Sequence, residues 1–129
     1  MEKLTLADIA QYRSALSSHP EAMLALEMIE DCEGDVEDAA ISIALQVGQE
    51  PDRTDQWLDG LAKRWRATLC RHDLREALEQ GKLLPVVETL ATETTLPVKL
   101  TVPVIICVLQ TGVDRFCQPL DESLKHFGS

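Results

Sequence analysis

Apolar residues recur along this chain mostly at helical spacing. Leu6, Ile9, Ala10 and Leu16 follow Thr5, and Asp8 stands where a carboxylate complements the first-turn amides, so residues 5–17 read as a first helix. Ser18-His19-Pro20-Glu21 supplies a capping hydroxyl, an early proline and a carboxylate at the capping-box position, which starts a second helix over about 20–32. Gly34 provides a left-handed stop, and Asp35 caps a third helix whose face is Val36, Ala40, Ile43 and Val47, closed in turn by Gly48.

After the polar link 49–53, Thr54 is placed to cap a fourth helix over 55–71 carrying Trp57, Leu61 and Trp65 at four-residue intervals. Asp73 and Gly81 bracket a short helix built on Leu74, Ala77 and Leu78, and a further helix spans Leu83 to Thr92 with Pro85 in its first turn. The segment 98–109 is ambiguous. Its valines and isoleucines favour strands, whereas Thr101 and Pro103 suit a helix start, so a buried helix over 102–110 competes with a small β hairpin at 98–109. Asp114 and Asp121 are positioned to cap two short terminal helices.

These elements predict an all-α fold: a compact orthogonal or antiparallel bundle of five to seven helices around Val102–Leu109. No repeat, low-complexity tract or proline-rich or serine-rich linker divides the chain, so residues 1–129 are expected to form a single helical domain. A hydrophobic share of 45% and a mean hydropathy of -0.07 fit a globular chain able to build a core.

Charge changes this picture more than composition does. The net charge of -10 is concentrated in residues 1–60, where 14 acidic and 3 basic side chains give -11; residues 61–129 carry 8 acidic and 9 basic. Such a chain repels nucleic acid and anionic lipid unless its cations gather on one face. The two halves are expected to attract one another, within a chain or between chains.

The densest acidic run is Glu27, Glu30, Asp31, Glu33, Asp35, Glu37 and Asp38. A calcium loop counted from Asp31 needs glycine at its sixth position and glutamate at its twelfth, and finds Val36 and Ser42, so no metal is assigned. The reading is a solvated face in which Asp35, Glu37 and Asp38 complement the start of helix three, with a docking role for Glu30, Asp31 and Glu33. Lys63, Arg64, Arg66, Arg71 and Arg75, with Trp65 and His72 among them, form the basic counterpart. Their placement opposite an apolar stripe in an acidic chain favours protein docking over nucleic-acid binding.

Cys32, Cys70, Cys107 and Cys117 contain no Cys-x-x-Cys pair, and Cys70 with His72 lacks the second pair that a structural zinc site needs. The start of the chain has no basic region followed by an apolar core, and no stretch reaches the roughly 20 apolar residues of a spanning helix. A cytoplasmic location without membrane insertion follows as the expectation, with all four cysteines as buried free thiols. Nucleophile elbows, glycine-rich phosphate loops and paired helical histidines are missing from the sequence, and no cofactor is assigned. The leading functional expectation is a non-catalytic interaction or regulatory module that binds a protein partner or a second copy of itself. A bundle holding a small apolar ligand near Val102–Leu109 is the alternative, and a small enzyme of unknown class comes third.

Overall fold

The computed structural model describes residues 3–51 and 56–128, with side chains described through Leu124. The fold is all-α, with nine helices among the described residues: α1 (Leu6–Leu16), α2 (Pro20–Asp31), α3 (Val36–Gln46), α4 (Trp57–Arg64), α5 (Arg66–Leu69), α6 (His72–Glu79), α7 (Leu83–Glu93), α8 (Val98–Thr111) and α9 (Val113–Gly128). The count exceeds the expected five to seven because the fourth helix divides at Trp65 and the chain stays helical to residue 128. The proposed cap at Thr54 lies outside the described residues.

The ambiguous segment is a helix, not a hairpin, and it is the centre of the molecule. All nine residues from Leu100 to Val108 are buried, and α8 packs against α2, α3, α4, α7 and α9. The helix begins at Val98, four residues before the sequence suggests, so Pro103 falls inside it and removes one backbone donor. An internal proline costs about 3 kcal/mol, but burying Leu100, Ile105 and Ile106 returns about 1.5–3 kcal/mol each relative to exposure. Thr101, the single buried polar residue in the segment, donates its hydroxyl to the Val98 carbonyl at 2.6 Å. Gly112 then turns the chain by 86° into α9.

Side-chain caps set the starts of the first three helices. Thr5 and Asp8 form the expected reciprocal capping box on α1. On α2 the cap is not Ser18 but His19, whose Nδ1 accepts from the Ala22 N–H at 3.2 Å ahead of Pro20. Asp35 caps α3 as expected, but Glu37 does something else: its Oε1 accepts the Leu58 N–H at 3.0 Å, capping the distant start of α4. One carboxylate thus fixes α3 against α4 across 21 residues of sequence.

The α2–α3 turn departs instructively from expectation. Glu33, not a glycine, takes the left-handed position after the helix (φ 57°), with its N–H donating to the Glu30 carbonyl and the Gly34 N–H donating to Ile29. Gly34 is needed for a further reason. Its own φ is +83°, its carbonyl accepts the Leu4 N–H at 2.9 Å, and a Cβ there would lie 2.2 Å from the Leu4 carbonyl oxygen. The turn therefore clamps Leu4, and with it the approach to α1, against the bundle.

At Trp65 the helix tightens, the N–H reaching Ala62 three residues back, and the chain swings from α8 toward α9. That swing brings Cys70 to Cys117, with Cα atoms 5.7 Å apart, and the two form a disulfide. The expectation of four free thiols is corrected accordingly: Cys32, half-buried, and Cys107, buried, remain thiols. The signal was invisible in sequence because the partners are 47 residues apart with no paired spacing.

Two outcomes check this account. Gly34→Ala should lower unfolding free energy in urea by at least about 2–3 kcal/mol through strain and collision, whereas Glu33→Gly should raise it by about 1 kcal/mol by relieving the left-handed glutamate. Alkylation of unfolded, unreduced protein should modify only two of the four cysteines, and prior reduction should expose all four while lowering stability by about 2–4 kcal/mol.

Candidate functional site

The five cations singled out from the sequence do not assemble into one face. Lys63 on α4 pairs with Asp59 one turn earlier at 2.8 Å. Arg66 on α5 lies over the Phe116 ring, 5.0 Å from its centroid, and so packs α5 onto α9. Arg71 bridges Asp73 and Glu93, tying the start of α6 to the end of α7. Arg75 on α6 reaches Asp121 through two hydrogen bonds of 2.9 and 3.0 Å and Asp114 at 3.0 Å, with Glu79 at 3.7 Å. Arg64 alone of the five is exposed with no ion partner among the described residues.

These bridges explain Asp121, which sits within α9 and anchors it rather than starting a helix of its own. They also lower two carboxyls from the ordinary aspartate value: Asp73 chiefly through the Arg71 hydrogen bond, and Asp114 chiefly through Arg75. None of the bridges reaches the acidic run on α2 and α3. The expected attraction between halves is thus absent among the described ion pairs, apart from Lys63 and Asp59, which are neighbours on one helix.

Five of the seven acidic residues of that run, Glu27, Glu30, Asp31, Glu33 and Asp38, are exposed. Glu30 pairs with Arg13 of α1. Glu27, Asp31 and Glu33 are exposed and have no cationic partner among the described residues. Glu27 and Asp31 fall on one face of α2 with Leu24, a leucine left 50% exposed. Grooves run along both sides of this ridge. One, of about 390 Å³, is bordered by Arg13, Met23 and Glu30; the other, of about 260 Å³, by Met28, Ile43, Gln46 and Lys99. Glu33 belongs to the turn beyond the ridge and lines neither groove.

Sequence reasoning found Glu30 and Asp31 but missed Leu24, Met23, Met28 and Lys99. The run Ala22-Met23-Leu24-Ala25-Leu26 is apolar throughout, so only the fold reveals that Ala22, Ala25 and Leu26 face the core and Leu24 faces out.

Nucleophilic and metal chemistry finds little support in this geometry. Cys70 is in the disulfide, and His72 is exposed, with Glu76 at 3.7 Å. Burial, with the nearby Asp59 and Glu37 carboxylates, pushes the Cys107 thiol up to about 12. Burial and Asp38, Asp35 and Asp31 likewise raise the Cys32 thiol. Neither free cysteine is a thiolate at neutral pH. Among the described residues no group of three or more His, Cys, Asp or Glu side chains is arranged to hold a metal ion. No described helix is long and apolar enough to cross a membrane alone.

Because Asp73 and Asp114 titrate below their ordinary value of 3.8 in the folded chain, their bridges contribute fully above that pH and are lost as pH falls through the folded titrations. Carboxyl-carbon NMR should therefore give both aspartates midpoints below 3.8, and Arg75→Gln should return Asp114 toward that value while leaving Asp73 unmoved. Comparison with models of protein families, with curated proteins and with solved structures finds no match to this chain.

Proposed function

We propose that this chain is a non-catalytic binding module that docks a cationic, partly apolar segment of a protein partner on the outer ridge of α2. The observation that carries the reading is the combination of Glu27 and Asp31, unpaired among the described residues, with the half-exposed Leu24 between two grooves. Carboxylates alone are satisfied by solvent. A leucine flanked by methionines among them adds an apolar anchor, which is the pairing that recognises an amphipathic basic helix.

The same evidence bears on self-association. The cations that were to complement the acidic half in a second copy are mostly engaged in bridges inside the chain, at Lys63, Arg71 and Arg75, or stacked on Phe116, at Arg66. A foreign cationic segment is therefore favoured over a second copy. The apolar-ligand alternative draws no support from the clefts described, since neither groove beside α2 is lined by any residue of Val102–Leu109.

A labelled amphipathic peptide with leucines on one face and lysines and arginines on the other tests this reading by fluorescence anisotropy. Binding should weaken as salt rises and fall about tenfold or more in Glu27→Lys/Asp31→Lys, each reversal removing up to about 1 kcal/mol of attraction and adding repulsion. Leu24→Ala should weaken it further, and Arg64→Glu should leave it intact. Peptide affinity insensitive to the α2 reversals would overturn the reading.

A further inference from the structure

A second surface feature stands apart from the α2 ridge and is independent of it. Trp57, Gly60, Leu61 and Arg64 are spaced along one face of α4 and, with Gln49, Glu50 and Gln56, line an open cleft of about 550 Å³. Trp57 is half-buried against the core, Leu61 is buried, and Arg64 is exposed at the other end without an ion partner among the described residues.

Gly60 lies between them, and its presence is otherwise unexplained. It has no positive φ, and a Cβ built there would meet nothing within 4 Å. Neither backbone conformation nor packing requires glycine, although glycine within a helix is less favourable than alanine. What its missing side chain leaves is a patch of helix backbone open to the cleft that Trp57 and Arg64 also line.

We infer that this cleft is a binding site for a small planar aromatic monocarboxylate, with the ring seated over Gly60 beside Trp57 and the carboxylate paired with Arg64. A ring of one or two fused cycles is well below the cleft volume and leaves space for its substituents. The planar fork of an arginine binds a carboxylate through two hydrogen bonds, and the ring gains by offset packing on the indole. Glu50 also lines the cleft and limits the negative charge it accepts, which favours a single carboxylate over a phosphate dianion, and the lining residues Gln49 and Gln56 carry amides able to pair with polar ring substituents.

Naphthoate, its neutral alcohol analogue and cyclohexanecarboxylate distinguish the contributions of charge and ring, read from the Trp57 indole N–H and the Gly60 amide in NMR titrations. Naphthoate should shift both resonances saturably, with the two analogues at least about tenfold weaker. Arg64→Gln should weaken naphthoate about tenfold or more. Gly60→Leu, whose side chain fills the patch, should abolish saturation. Gly60→Ala serves as the folding control: it should raise the melting temperature by about 2–4 °C while weakening naphthoate. Absence of saturable shifts in the unmodified protein, equal affinity for the neutral alcohol, or undiminished binding by Gly60→Leu would each overturn the assignment.

Discussion

The structure depends on the burial of one helix. α8 is buried on every side from Leu100 to Val108, with Thr101 its one polar residue there, so no single neighbour can cover it, and α2, α3, α4, α7 and α9 are arranged around it to do so. This requirement decides other matters that local chemistry would decide differently. It keeps Pro103 inside a helix, and it draws a β-branched segment that would otherwise suit a strand into helical form. Each surrounding helix has only to supply one apolar stripe to a centre that is already apolar.

The peripheral elements are fastened to this centre by two different means. On the N-terminal side the fastening is mostly backbone geometry and capping, with Leu4 on Gly34 and Glu37 reaching from α3 to the start of α4, and the Arg13–Glu30 pair joins α1 to α2. On the C-terminal side it is charge and covalent chemistry, with Arg75 holding Asp114 and Asp121, Arg66 over Phe116, and the Cys70–Cys117 bridge all converging on α9. The sharp 86° turn at Gly112 makes this second set necessary, since it directs α9 away from α8 and leaves it few other anchors.

How much of this was legible in the sequence follows from the range of each interaction. Signals carried within four residues were readable: the Thr5–Asp8 capping box, the Asp35 cap, and the glycine stops at residues 48 and 81. Where local signals conflicted, the fold chose between them on grounds outside the segment, as at 98–109, where burial outweighed the backbone bond that Pro103 breaks. Interactions across tens of residues left no trace. The Glu37 cap on α4, the Cys70–Cys117 pairing and the distribution of arginine partners all depend on where the helices cross. The expected basic docking face failed for this reason: charges clustered along the chain fall on α4, on α5, just before α6 and on α6, and most are taken up by separate partners.

The charge asymmetry acquires a different meaning once those partners are known. Cations of the second half neutralise mostly their own half's carboxylates, so the excess of -11 in residues 1–60 stays largely uncompensated by the fold. Like charges gathered on α2 and α3 repel one another and weaken the compact state, an effect that salt or a cationic partner relieves. Leu24 sharpens the distinction between those two. Dissolved ions screen Glu27 and Asp31 but leave the leucine in water, whereas a partner carrying both charge and apolar surface satisfies all three residues at once, and gains specificity from their fixed spacing on one helix face.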